Sequence, residues 1–250
     1  MPNPLPEAGP NGRPVVRRAP RRGRLLANRS PLVDALPDFA DQLGADRLEI
    51  IRRVVRVRLL AVRRGIWDAA GDAEATGAIG MVIVSGTVLR RVVAGHREGA
   101  ELLGAGDLVQ PARDTTNVSW RVVADCTVAV VDLRALADAA TVPELTSALL
   151  GAATTRTHTV ARQLVIAQWP SVDERLVATL QALAERWGVM TPDGIVLPDF
   201  LTHSVLAPLV GARRPSVTTS LKRLNDSGAV RRRPDGRWLL DSGATTAAAA

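Results

Sequence analysis

The chain has 250 residues, 46% of them apolar, and a formal net charge of +7. That size allows one or two domains with real cores, and no apolar run reaches the roughly eighteen residues a membrane-spanning helix needs. The single cysteine, Cys126, excludes an internal disulfide, a cysteine-rich zinc site and a protein-held iron–sulfur cluster.

Charge is unevenly spread. Residues 1–30 hold seven arginines and one acid, residues 201–250 hold eight basic and three acidic side chains, and the body between them is net acidic. A basic C-terminal module on a mildly acidic body suits a DNA-reading head on a sensing domain. Lys222 is the only lysine, and this arginine bias together with abundant alanine suggests a GC-rich genome. The N-terminus lacks the apolar core of a secretory signal, so a cytoplasmic location and no membrane partner are expected.

Residues 1–29 are rich in Pro, Gly and Arg and lack the apolar content to fold, so they are expected to be a disordered basic arm. The arm either adds nonspecific affinity for nucleic acid or simply solubilises the chain. Residues 30–142 are expected to form one domain. It opens with helical residues 30–52, where Leu32, Leu36, Phe39, Leu43 and Leu48 are core candidates. Short β-rich runs follow: Val57 to Val62, Met81 to Val84, Thr87 to Val93, Trp120 to Ala124 and Val128 to Val131. Ser85-Gly86 lies between two of these and reads as a hairpin turn. Strands at this spacing predict a sandwich or small barrel. Cys126 falls in an apolar run, where a buried inert thiol is expected. Trp67 and Trp120 are expected in the core rather than lining a pocket.

Residues 143–169 read as a long helix with Leu149, Ala153, Val160 and Leu164 on one face at heptad-like steps. Such a seam serves a partner helix, here a second copy of the chain, or packs on the helix's own barrel. Trp169-Pro170 ends it. Ser171-Val172-Asp173-Glu174 is a capping box that opens the next helix, which runs to Trp187. The last unit therefore spans residues 170–242, and residues 243–250 form a low-complexity tail.

Within that unit, Val205, Leu206, Leu209 and Val210 make the apolar stripe of a short helix, and Gly211 supplies a turn. Val217, Leu221 and Leu224 repeat at helical spacing in a second helix. Arg214, Pro215, Thr218, Thr219, Lys222 and Arg223 then face away from the core. A helix apolar on one side and rich in Arg, Thr and Lys on the other suits a major groove; an ordinary hairpin with a solvated basic face is the alternative. Pro208 falls inside the first helix, which is expected to bend or to end loosely. Strand-like runs flank Pro234-Asp235-Gly236 and predict a β-hairpin. Its Arg231, Arg232, Arg233 and Arg237 are placed to meet phosphates, which makes the whole a winged helix-turn-helix.

The order of barrel, long helix, capped helix, helix-turn-helix and wing over residues 35–241 resembles the Crp/Fnr family of bacterial transcription regulators. Leu102-Leu103-Gly104-Ala105-Gly106-Asp107 is similar to the family's barrel-turn Gly-x-Gly-Asp, and Leu209 to Val217 is similar to its turn and recognition helix. The resemblance implies an α+β fold: an N-terminal β-roll or jelly-roll of the cyclic-nucleotide-binding type, a dimerisation helix and a C-terminal winged helix-turn-helix. It implies that Arg214, Pro215 and Thr219 read bases, that Arg213, Ser216 and Lys222 meet phosphate, and that RNA polymerase is a partner. Pro215 stands where an acidic residue is common, so the operator is expected to differ from that of the best-known members.

Members that bind cyclic AMP use Gly-Glu-x-Ala and then Arg-Ser or Arg-Thr to neutralise and hydrogen-bond the phosphate. Here Gln110-Pro111 replaces the first segment, Val118 stands where the Arg belongs, and Ser119 keeps the hydroxyl. Gln110, Val118, Ser119, Trp120 and Arg121 are what is left of that effector pocket. Arg113 and Arg121 are the other cations near it. A phosphate buried without its Arg is costly, so no cyclic AMP response and no cofactor are expected. His96, His158 and His203 lack metal-ligand spacing. Neither a phosphate-binding loop nor a nucleophile elbow occurs, so an enzyme is not expected. The leading function is a sequence-specific regulator, acting as a homodimer on a near-palindromic site in double-stranded DNA. An effector-independent, architectural DNA-binding protein is the alternative.

Overall fold

The computed structural model describes residues 19–111 and 117–241. The tail at 243–250, most of the N-terminal arm and Arg113 lie outside the described residues. In chain order the N-terminal part comprises β1 (Arg24–Pro31), a 3-10 turn (Leu32–Ala35), α1 (Pro37–Ala40), α2 (Ala45–Val54), β2 (Arg56–Val62), β3 (Gly65–Trp67), α3 (Ala69–Thr76), β4 (Ala78–Ala94), β5 (Arg97–Leu103), β6 (Leu108–Val109) and β7 (Val118–Asp132). The antiparallel sheet runs β1-β2-β7-β4-β5, with β3 added to β7 and β6 to β4. Alternation along β2 puts Leu60 and Val62 in the core with Trp67 and Met81, while Val57 on the opposite face packs with Leu32 and Ile51.

Two expectations fail here. Residues 24–29 are not part of a disordered arm: they belong to β1, where Arg24 pairs with Ala61 and Arg29 with Arg58. The chain just before β1 is also held. The Arg21 amide donates to the Ile66 carbonyl at 2.8 Å, Arg22 pairs with Asp68 at 3.1 Å, and the Gly23 amide donates to Asp72 at 2.6 Å. Asp72 is buried and also accepts the Trp67 indole at 2.8 Å, so the inward-pointing charge is satisfied. Second, Ser85-Gly86 is not a hairpin turn. β4 runs unbroken through it for 17 residues against β7, with register shifts at Ser85 and Thr87. Gly86 sits at φ 84°, and a Cβ there would come within 2.2 Å of the Asp125 carbonyl. The dipeptide is therefore a bulge that bends a continuous strand. The real turn comes at Gly95, between β4 and β5.

β3 and α3 have no counterpart among the sequence-predicted elements. Asp68 caps α3 by accepting the Gly71 amide at 3.0 Å, and Gly77 closes it in the left-handed region at φ 64°. Inside the sheet, Trp67 and Trp120 meet edge to face, with centroids 6.1 Å apart, among Met81, Ile83, Val88 and Leu103. Both tryptophans are core, as their sequence surroundings predict.

α4 (Leu133–Ala140) leads to α5 (Pro143–Ala167), whose 25 residues include only two buried ones, Leu145 and Ile166. Leu150, Leu164 and Val165 are more than half exposed. α6 (Val172–Trp187) starts where expected, with the Ser171 hydroxyl accepting the Glu174 amide at 3.5 Å. Beyond it lie β8 (Val189–Thr191), β9 (Gly194–Val196), α7 (His203–Leu209), α8 (Arg214–Asp226), β10 (Val230–Arg232) and β11 (Trp238–Leu240). The wing is broader than a lone hairpin: β10-β11-β9-β8 form a four-stranded sheet. The C-terminal core gathers Leu176, Leu180, Leu206, Val217, Leu221 and Trp238, and it is continuous with Leu89, Leu102 and Val123 of the N-terminal sheet. Among the described residues no helix is long and apolar enough to cross a membrane.

Candidate nucleic-acid interface

α7 and α8 form the hairpin that the apolar spacing predicts. Val205, Leu206, Leu209 and Val210 are buried from the first helix, and Val217, Leu221 and Leu224 from the second. Gly211 turns between them at φ 60°. Pro208 removes one amide from the end of α7, which stops one residue later; bonds from Val210 to Leu206 and from Ala212 to Ala207 carry the chain through the turn.

With that face inward, Arg213, Arg214, Pro215, Ser216, Thr218, Thr219 and Lys222 are all exposed. Pro215 occupies the first turn of α8, where its missing amide costs no helix bond. Thr218 and Thr219 donate their hydroxyl hydrogens back to the Arg214 and Pro215 carbonyls at 3.0 and 3.2 Å. The Thr219 oxygen is left as an acceptor on the exposed face, while that of Thr218 meets His203. Arg213, Arg214 and Lys222 enter no ion pair among the described residues, so these three guanidinium and ammonium groups are free to meet an anion.

The other basic side chains are engaged to different degrees. Arg223 holds Asp173 with two bonds of 2.9 and 2.7 Å, which joins α8 to the start of α6 and keeps the Asp173 carboxyl below its usual range. In the wing, Asp235 pairs with Arg237 at 2.8 Å and Arg233 at 3.4 Å. The side chain and amide of Arg237 bring the Asp235 carboxyl down to about 2. Arg231 reaches the Asp193 carbonyl at 3.4 Å. Arg232 lies over the Trp238 ring, 4.5 Å from its centroid.

His203, which sequence reasoning left as an isolated polar residue, sits among these groups. Its Nδ1 is 2.9 Å from the Thr218 hydroxyl oxygen, and its ring stacks on Trp238 with centroids 5.9 Å apart at 27°. Trp238 is in turn fixed by its indole donating to the Leu201 carbonyl at 3.0 Å. Burial lowers the His203 pKa below its ordinary value, helped by the positive charges of Arg232 and Arg214. Its partners lie 15 and 35 residues away, beyond any local pattern.

The effector-pocket residues do not converge. Val118 and Trp120 turn inward, while Ser119 and Arg121 are exposed on the opposite face of β7. Gln110 instead borders a cavity of about 370 Å³ with Leu108, Ala153, Arg156, Thr157 and Val160. Arg156 is already committed, donating to the Leu108 carbonyl at 2.9 Å and to buried Glu101 at 2.7 Å. Arg90 lies 2.5 Å from the same Glu101 oxygen and over the Trp120 ring; burial lowers its pKa. A larger cleft of about 1200 Å³ runs between α1, α5 and α6. Of the expected partner-helix seam, Leu149 and Val160 are half-buried and Ala153 and Leu164 exposed. Among the described residues no cluster of His, Cys, Asp and Glu is arranged to hold a metal ion.

Residues 174–242 match the Crp-like helix-turn-helix domain. No curated protein matches the chain. Several solved structures share its fold. A CooA mutant from Carboxydothermus hydrogenoformans has a TM-score of 0.59 at 18% identity, covering 75% of this chain and 85% of that one. A cyclic nucleotide-binding domain containing protein from Listeria monocytogenes has a TM-score of 0.60 at 16% identity, covering 84% and 98%. The c-di-GMP responsive global regulator CLP of Xanthomonas campestris has a TM-score of 0.56 at 21% identity, covering 79% and 99%.

Proposed function

Because the chain carries a Crp-like helix-turn-helix domain on the fold of the Crp/Fnr regulators, we propose that it is a transcription regulator that binds double-stranded DNA sequence-specifically as a homodimer. The observation that carries this reading is the outer face of α8. Arg213, Arg214 and Lys222 stand there without carboxylate partners, on a helix whose other face is buried. Arg214 at the head of α8 takes a guanine, a bidentate contact worth about 1–3 kcal/mol of discrimination. Arg213, Ser216 and Lys222 meet phosphates beside it, with Arg231 and Arg232 following from the wing. Thr219 faces the next bases.

The homodimer reading rests on α5. An exposed apolar surface on a helix this long is what a partner helix covers. Two copies would place two α8 helices about 34 Å apart, in successive major grooves of a near-palindromic site. Contact with RNA polymerase belongs to the same proposal, as does a cytoplasmic location.

We infer further that cyclic AMP is not the effector. Val118 offers no charge, Ser119 and Arg121 point away from the core, and Trp67 and Trp120 fill the interior with indole rings. That filled interior also favours the second reading, an architectural protein without an effector.

Selection of bound fragments from sheared genomic DNA of the source, at fixed physiological salt and with or without cyclic AMP, separates the readings. A short two-fold motif unchanged by cyclic AMP supports the regulator. Enrichment without a motif, falling steeply with salt, supports the architectural protein. A motif that sharpens with cyclic AMP overturns the pocket reading.

A further inference from the structure

We propose that His203 and Arg232, beside the base-reading Arg214, form a proton-linked phosphate clamp, in which a DNA phosphate oxygen docks against His203 Nε2 and holds it protonated. This rests on the DNA-binding reading above. The two side chains come from separate elements, His203 from α7 and Arg232 from the wing strand β10, and both lie against the Trp238 ring. The charged groups acting on His203 are Arg232 and Arg214, both cationic. Such a convergence without a carboxylate is repulsive in the free protein and is relieved by an anion.

The hydrogen bonds fix which nitrogen is available. The Thr218 hydroxyl gives its hydrogen to the Arg214 carbonyl at 3.0 Å. Its oxygen must then accept from His203, so Nδ1, at 2.9 Å, carries the hydrogen. Nε2 is left with a bare lone pair and has no protein partner among the described residues. Stacking on Trp238 holds the ring in this orientation, and the same indole supports Arg232. A phosphate arriving here meets the Arg232 guanidinium, supported by Trp238, and one nitrogen that becomes a donor only on taking up a proton.

The linkage has a definite sign. In the free protein burial and the positive charges of Arg232 and Arg214 disfavour the protonated His203 ring. A docked phosphate favours the protonated ring and raises its pKa, so DNA binding takes up a proton. Affinity therefore rises as pH falls from the pKa of the bound form to that of the free form, and is flat below the latter. Each unit of difference gives about tenfold.

The test uses the full chain and a fluorescein-labelled duplex of arbitrary sequence, because phosphate contacts do not depend on sequence. Anisotropy titrations at constant ionic strength from about pH 8 to about pH 5.5 span the titration range of histidine. The wild type is expected to tighten about three- to tenfold, and His203→Gln to lose that slope while keeping a donor for Thr218. Proton NMR of the wild type reads the imidazole directly, with His203 assigned by its absence from the variant. A His203 pKa that rises when duplex is added supports the clamp, even if the variant folds poorly. A pKa that stays put while the duplex binds overturns the clamp and leaves the DNA-binding reading standing. Absence of duplex binding at every pH overturns both.

Discussion

The Asp107 carboxylate lies 2.8 Å from the Arg186 guanidinium, tying the end of α6 to the turn that follows β5. The same carboxylate accepts the Gly104 amide at 2.7 Å, and Arg186 also donates to the Ala105 carbonyl at 3.1 Å. Trp187 rests against Gly104, where a Cβ would come within 2.9 Å of the indole. The Gly-x-Gly-Asp turn is thus a seat for the C-terminal domain as well as a turn of the sheet. Asp107→Ala is expected to cost about 2–3 kcal/mol, because it strands a buried amide and a partly buried guanidinium. Gly104→Ala is expected to cost about 1–3 kcal/mol through overpacking against Trp187. Urea unfolding midpoints measure both; unchanged midpoints would mean that the seat is not a stabilising contact.

In the wing, Asp235 occupies two of four arginines. With its carboxyl at about 2 it remains charged at any pH near neutrality. Asp235→Asn keeps the acceptor for the Arg237 amide while releasing Arg233 and Arg237. Binding to random-sequence DNA is expected to tighten, and the slope of log affinity against log salt to steepen by up to about 2. A slope equal to that of the wild type would place these arginines away from the DNA.

The exposed face of α5 predicts an assembly. Leu164→Glu, at a position 63% exposed in the single chain, should leave the helical content unchanged by circular dichroism. In light scattering it should halve the mass of the wild type, and binding to a two-fold site should fall by about 100-fold or more as the second head is lost. A wild type that runs as a monomer at micromolar concentration removes the dimer proposal.

Burial pushes the Cys126 thiol up to about 12. At pH 8 only about one molecule in ten thousand then holds the reactive thiolate. A chromogenic disulfide reagent is expected to titrate no thiol in the native protein and one after denaturation. Prompt labelling of the native protein would show that β7 opens around the cysteine.

The C-terminal helices were legible because their signals are local. The Leu and Val spacing in α7 and α8, the Gly211 turn and the Ser171 cap each lie within one or two helical turns. The misses involve distant partners. β1 was concealed by the Arg and Pro that precede it, and it becomes a strand only because Arg24 finds Ala61 across the sheet. Ser85-Gly86 has the composition of a turn, but the 15-residue β7 runs alongside and turns it into a bulge. Among the candidate DNA contacts, periodicity separated exposed from buried positions on α8. It did not reveal that Arg223 is spoken for by Asp173, or that Asp235 shields half the wing. His203 gave no sequence signal, since Thr218 and Trp238 approach it only once helix and wing have folded together.

The C-terminal core extends into the N-terminal sheet through Leu89, Leu102 and Val123. A graft that moved residues 170–242 onto another sensor would leave this part of the apolar surface facing solvent unless the new host supplied three side chains of matching shape. The C-terminal domain is therefore a poor candidate for transplantation. Chimeras joined at Pro170 should be sticky and prone to self-association, and restoring these three positions in the host is the repair to attempt.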